Sequence, residues 1–594
     1  MTRFLSKKFP LLLFLAFVFW GMPCFAAGGA CPTAANYLNP ANPGGNKITL
    51  AGIGVTNCFY IAANGSDSNN GTSEATPWLH APGMSSCTGT CKSTTPAAGE
   101  GFIFRGGDTW HSGNSGASPY TGGTWNWNWS GTSGNHIYIG VDQTWFSGSG
   151  WARPIINGDN PLNSVSGSGA GVSSCQYGGG GANLVNLSAI YEHFDNFELL
   201  GMCWGTSGGT YISTSGLHQQ VQGSPNPNPR WVENNYIHGW SHVKYNCNAN
   251  GGVCASSGEA FDGNGGQPGN GALYGVIIQF NVVDGADSDS YSLAWVGPSG
   301  QADAWIVQYN VIRYNGADNT TGAVHLFHDN LFEYGFNADD GATHTDWPMQ
   351  IYGAEANDPL HPGDGTPNLF YNNVVRHIPG ALSAVLWQFP PPGYSDYDFN
   401  NVFSDYEGGC GNYNNVDQGS GRGNLVVFNN TEEGCGAPNP SGCIYCNGDS
   451  GSSKITAANN HWIISGGFGA VFQNSSVVTE TSALYQTLPT ATAQGFSVAN
   501  NFAPTLPTNA TVTTLGTNET NGFCSQLQNS AAQTACETGI TGVAYNSTNH
   551  SVIYPATPPV PRPASGPWNV GAYQFSSSSS QAPQPPTGIQ ISVQ

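Results

Sequence analysis

Charge is what this chain has least of. Only 8% of its 594 residues are Asp, Glu, Lys or Arg, and 14 basic residues stand against 36 acidic ones, a formal net charge of −22. Arg3, Lys7 and Lys8 lie at the extreme N-terminus, so without them the balance is −22 − 3 = −25. A field of that sign repels polyanions, which argues against nucleic acid and anionic membrane as partners. Helical periodicity is also missing beyond the N-terminus, as is any later apolar run long enough to span a bilayer. The apolar run from Leu11 to Trp20, preceded by those three basic residues and followed by Phe25-Ala26-Ala27, reads as a secretory signal peptide cleaved near Ala27. The expectation is an exported monomer with no transmembrane segment.

Cysteine is sparse but even in number. Removing Cys24 with the signal leaves 15 − 1 = 14, and export favours disulfides. They fall into sequence neighbours that would pin loops: Cys31 and Cys58, Cys87 and Cys91, Cys175 and Cys203, Cys247 and Cys254, Cys410 and Cys435, Cys443 and Cys446, Cys524 and Cys536. A zinc site from Cys410, Cys435, Cys443 and Cys446 is the alternative, disfavoured by export.

What the chain has instead is a recurring asparagine. Asn235, Asn281, Asn310, Asn330, Asn373, Asn401, Asn430 and Asn460 mostly follow an aromatic or another Asn and precede an apolar pair. Most of the steps between them fit one coil of roughly 20 to 30 residues. Those from Asn235 to Asn281 and from Asn330 to Asn373 are longer and call for a second coil or a long loop. Between the asparagines lie short runs such as Val276-Ile277-Ile278 and Leu425-Val426-Val427-Phe428, which read as strands separated by Gly/Asn/Asp/Ser turns. A solenoid lets each coil hydrogen-bond to the next, and a repeated Asn tolerates the left-handed conformation and can ladder its amide. The predicted fold is all-β, a right-handed single-stranded parallel β-helix with an N-terminal capping module and disulfide-pinned loops.

The two ends carry a family resemblance. Tyr60-Ile61-Ala62, then Gly65-Ser66-Asp67 with Asn70-Gly71-Thr72, Pro77-Trp78 and a strand ending in Arg105-Gly106-Gly107 resemble the opening of secreted β-helix proteins of the pectin-lyase-like superfamily. Arg562 to Phe575 is similar to their closing segment. The resemblance implies the fold and leaves the reaction open, since that superfamily mixes lyases, hydrolases, epimerases and adhesins. The organisation expected is a signal over 1–27, a capping module over 28–135, the β-helix over 136–575 and a Ser/Pro-rich flexible tail over 576–594.

The repeat lets outward residues be read as columns about 4.8 Å apart. The third residue after each asparagine gives His238, Asp284, Arg313, Glu333, Arg376, Ser404 and Glu433. This is an exposed ion-pair ladder worth about 0 to 1 kcal/mol per pair or, alternatively, a clamp in which Arg313 and Arg376 hold an acidic sugar. A second column aligns Asp289 with Asp346, each acid leading into a strand, with the run ending Leu326-Phe327 taken as the strand between them. Two coils put their Cα atoms about 10 Å apart, near the roughly 6.5–9.5 Å carboxyl separation of inverting glycosidases. His344 would assist, while Trp295 and Trp347 join Arg313, Glu333 and Arg376 as sugar-binding candidates. Asp284, Asp287, Asp339 and Asp340 crowd these acids. They raise neighbouring pKa values, hold Ca²⁺, or simply cap turns.

The polygalacturonase and pectate-lyase signatures are missing. A lyase would need Lys244 as base and Arg313 as carboxylate neutraliser. The run Trp125-Asn126-Trp127-Asn128-Trp129 puts three indoles on one side of a strand, as a sugar platform or a lid over the first coil. With 17 Trp and 25 Tyr on a weakly charged chain, the function expected is a polysaccharide hydrolase needing no cofactor. A non-catalytic glycan-binding or structural protein, and a polysaccharide lyase, are the alternatives.

Overall fold

In the computed structural model the chain is a single-stranded parallel β-helix. Residues 28–33, 49–160, 162, 176–177, 182–207, 210–219, 228–242, 257–262, 275–287, 293–297, 306–314, 326–334, 349–352, 367–377, 383–388, 393, 395–405, 412–417, 423–435, 444–447, 454–464, 471–473, 478–504 and 515–575 are described. A coil with all three sides described lays one strand in each of three sheets. Arg230–Glu233 lies in the first sheet, Tyr236–His238 in the second and Ser257–Asp262 in the third, before Val276–Gln279 returns to the first. Among the described residues the first sheet has fourteen strands and the second twelve, while the third side is divided into groups of seven and five.

Alternation along the strands decides what is buried. Val232, Ile278, Val307, Phe327 and Phe370 stack in register from the first sheet, and meet Ile237, Val283, Ile312, Phe332 and Val375 from the second in one continuous core. Each strand needs only one or two inward apolar residues, because the coils above and below complete the burial.

The asparagines form the predicted ladder at the corner between these two sheets. Asn281 Nδ2 donates to Asn310 Oδ1 at 3.1 Å, Asn310 to Asn330 at 3.0 Å and Asn330 to Asn373 at 3.1 Å, and each Oδ1 also accepts the backbone N–H of the preceding ladder residue. Asn235 bonds directly to Asn281, and Asn330 to Asn373. The two long steps are therefore single coils and hide no second coil. The left-handed residue is the one before each ladder Asn: Asn234, Phe280, Tyr309, Asp329, Asn372, Asn400, Asn429 and Asn459 all have φ between 55° and 57°. That corner turns the next side chain inward, at a conformational cost of about 1–2 kcal/mol for bulky residues such as Phe280 and Tyr309.

The early residues build the first rungs, and the last ones pack against the outer faces of two sheets. Asn57–Ile61 and Glu100–Gly106 are early parallel rungs of the first sheet. Trp125 and Trp127 are fully buried against Phe104 and Phe102, and their strand pairs with Ala182–Leu187. These two indoles do share a side, but it faces the core of their own coil, so they form neither the sugar platform nor a lid over the first coil. At the other end the chain doubles back. Leu527, Ala532 and Trp568 cover Tyr371, Phe399 and Phe428 on the first sheet, and Ile540, Val543, Val552 and Tyr573 cover Val282, Val311, Leu331 and Val374 on the second. Disulfides join Cys31 to Cys58, Cys87 to Cys91 and Cys524 to Cys536, as the sequence spacing predicts. Among the described residues no helix is long and apolar enough to cross a membrane.

Candidate functional site

The predicted column exists, but under a cover. His238, Asp284, Arg313, Glu333, Arg376 and Ser404 are direct neighbours on adjacent rungs of the second sheet, each projecting away from the core residue before it. Asp284 is only 3% exposed, and Glu333 and Arg376 are also buried. The exposed ladder expected from the sequence is thus a buried one, because residues 501–503 and 540–573 pack over it.

Every charge there is matched. Arg376 donates through Nε and Nη2 to Glu333 Oε2 at 3.1 and 2.8 Å and through Nη1 to Asn501 Oδ1 at 2.6 Å. Arg313 lies 3.7 Å from Asp284 and 3.4 Å from Glu333, with its guanidinium carbon 4.1 Å from the ring centroid of Tyr545. Both arginines are committed to protein carboxylates, which works against the sugar-clamp reading. Just outside them, Tyr314, Tyr334 and His377 stack at 4.7 and 4.9 Å, and His377 pairs with Asp405.

The column opens toward solvent at its N-terminal end. His238 sits between two acids, Nδ1 at 2.7 Å from Asp287 Oδ2 and Nε2 at 3.0 Å from Glu198 Oε1. Burial works against a charged ring, but these hydrogen bonds and charges win and lift His238 to about 9. The same contact, against the effect of burial, holds Asp287 below the ordinary aspartate range. Asp284 moves the other way: burial pushes its carboxyl up, opposed in part by Arg313. Asp287 remains 46% exposed at its side chain and Glu198 22%.

A C-terminal hairpin completes the arrangement. Ala544–Asn546 pairs with Ser551–Ile553. Tyr545 donates its hydroxyl to Asp284 Oδ2 at 2.8 Å and stands 2.6 Å from His550 Nδ1. The ring of Tyr236 stacks between His238 at 4.0 Å and His550 at 4.3 Å. Arg153, from just before the Ile155–Asn157 rung, donates to the Asn549 carbonyl at 2.8 Å and fixes the hairpin tip.

Of the residues singled out in the sequence, Asp284, Asp287, Arg313, Glu333 and Arg376 are brought together here. Asp289, Asp346, His344, Trp347, Asp339 and Asp340 lie outside the described residues, and of Trp295 only the strand Leu293–Gly297 is described. The Asn281–Asn310–Asn330 ladder puts two steps between the coil that starts at Asn281 and the one that starts at Asn330, while the strands Leu293–Gly297 and Met349–Tyr352 belong to separate groups of the third side. The strand predicted between Asp289 and Asp346 is also misplaced: Leu326–His328 belongs to the first sheet, where it leads into the left-handed Asp329 and ladder residue Asn330. A calcium ion does not fit Asp284 and Asp287 as they stand, since Arg313 and His238 already neutralise them. Glu198, Tyr545 and His550 were not found by sequence reasoning.

No known family model matches the sequence, and no curated protein does. Solved structures similar to the chain include a lacto-N-biosidase from Eubacterium ramulus, at 14% identity over 73% of this chain and 68% of that one, TM-score 0.37. A pectate lyase is similar at 13% identity over 87% and 96%, TM-score 0.37, and an alginate lyase from Paenibacillus at 13% over 66% and 92%, TM-score 0.32. The β-helix assignment rests on the strand registers rather than on these likenesses.

Proposed function

We propose that the protein is an exported polysaccharide hydrolase whose acid–base groups come from the acidic run that leaves the second sheet at Asp284. What supports this reading is the contrast between two neighbouring carboxyls, Asp284 buried and pushed upward by that burial, Asp287 half-exposed and held downward by its hydrogen bond to His238. Such a split is how one site keeps a proton donor and an ionised partner together. Asp284 is the donor and Asp287 the ionised group. Asp289 and Asp346, assisted by His344, form the second candidate pair, with Trp295 and Trp347 as sugar contacts.

The test is turnover on a panel of neutral and acidic polysaccharides, following reducing ends and ultraviolet absorbance together. Asp284→Asn and Asp287→Asn are expected to lower the rate by about 10²–10⁴-fold with folding retained. Equal losses in Asp289→Asn and Asp346→Asn, with Asp284→Asn active, move the chemistry to the second pair. Ultraviolet signal with reducing ends indicates a lyase, for which Lys244 and Arg313 are the residues to change. A second reading, a non-catalytic glycan-binding or structural protein, is favoured by the burial of Asp284 beneath Tyr545. Silence across the panel from folded protein supports it.

A further inference from the structure

The hairpin carrying Tyr545 and His550 touches the solenoid through ionisable groups as well as apolar ones. Its apolar anchors are Val543 and Val552, with Tyr554 beside Phe280 and Tyr309. Its polar anchors are the Tyr545 bond to Asp284 and the Asn549 bond to Arg153.

His550 looks onto charge from every neighbouring rung. Arg153 precedes the Ile155–Asn157 rung, and Glu198 comes from the next. Tyr236 and His238 follow, then Asp284 and Asp287, and then Arg313. Glu198 and Asp287 are both engaged by His238, and Glu333 is shared by Arg313 and Arg376, so Asp284 is the acid that balances the hairpin end of the cluster.

We infer that this hairpin is a proton-controlled latch, held over the second-sheet column at neutral pH by the Asp284–Tyr545–His550 chain and released when Asp284 and His550 take up protons. Protonation removes the negative charge that accepts the Tyr545 hydroxyl. It also makes His550 a cation facing Arg153 and the already cationic His238. Burial, with those two cations and against the opposing pull of Asp284 and Glu198, holds His550 below the ordinary histidine range, and burial holds Asp284 above the ordinary aspartate range, so the neutral-pH state is His550 uncharged. Release would uncover Asp284 and Arg313, which gives the proposed acid a route to substrate. The latch itself does not require that any reaction occur.

Hydrogen–deuterium exchange on the full chain, corrected for intrinsic exchange, tests this between about pH 7 and about pH 4.5. The amides of Ala544–Asn546 and Ser551–Ile553 are expected to lose roughly tenfold protection at the lower pH, while Leu331–Glu333 and Val374–Arg376 keep theirs. His550→Gln should abolish most of that pH response, and Tyr545→Phe should loosen the hairpin already at neutral pH. Unchanged hairpin protection in the wild type overturns the latch, as does the same fall in His550→Gln or a parallel fall in the ladder strands. Turnover is read separately: a responsive hairpin on an inactive protein sinks the hydrolase reading and leaves the latch standing.

Discussion

Two columns run side by side along this solenoid and obey different rules. In the asparagine ladder every member is the same residue, because an amide both donates and accepts, and from Asn235 to Asn401 each matches an identical neighbour; beyond that Asn401 and Asn430 donate to Asp398 instead. In the charged column, one strand further on, members must alternate, because a guanidinium matches only an acid. Asp284, Arg313, Glu333 and Arg376 do alternate, and Ser404 ends the run. The ladder can be extended coil by coil without limit, whereas each new charged rung depends on the sign of the last.

The largest expected effect breaks the charged column. Glu333→Ala leaves Arg313 and Arg376 without their shared carboxylate and should cost about 3–5 kcal/mol in denaturant unfolding. A loss below about 1 kcal/mol would mean that the column behaves as a surface ladder. Asn330→Ala breaks the other column, removing the acceptor of the Asn310 backbone N–H and the donor to Asn373, with an expected cost of about 2–3 kcal/mol. Asp at 330, which accepts but cannot donate, should recover part of that loss.

A pH titration sharpens the contrast, since only the charged column titrates. His238 is raised to about 9 from its ordinary 6.5. Its stabilising contribution is therefore complete below the unfolded value and fades as pH rises through the folded one. His238→Gln should cost about 2 kcal/mol near neutral pH and flatten stability against pH on the alkaline side. An unchanged alkaline slope would remove His238 from the account. Asp287, lowered by the same contact, contributes above the ordinary aspartate range and loses its contribution as pH falls. The smallest effect is that of Tyr545→Phe, about 1 kcal/mol or less, read best as local exchange in the hairpin.

How legible each column was follows from the same difference. Asn235 through Asn460 announced themselves because one residue type recurs once per coil, and the fold came with them. The repeat could not say that the steps to Asn281 and Asn373 are single coils, since loop length leaves no mark on the ladder bonds. The alternating signs were legible too, but their burial was not, because the cover arrives from residues 501–573, remote in sequence. Glu198 was missed because its coil carries Phe197 at the ladder position, where only the backbone N–H joins, donating to Asn235 Oδ1 at 2.9 Å, and because Glu198 pairs with Tyr236 and so stands outside the column of third residues. Trp125 and Trp127 show the remaining limit. Strand alternation gives which side chains share a face, and the neighbouring coil decides whether that face looks inward.

The hydrogen bond from Arg153 to Asn549 joins residues 396 apart. Rung-to-rung pairing is short in sequence and can propagate as soon as each coil is made, but the cover cannot dock until the last part of the chain is available. Throughout synthesis, then, the outer side of the second sheet exists as an incomplete surface, with Val282, Val311, Leu331 and Val374 waiting for partners. A chain cut short before Ile540 would carry an assembled ladder and a permanently unsealed flank, the kind of surface that drives association between unfinished molecules.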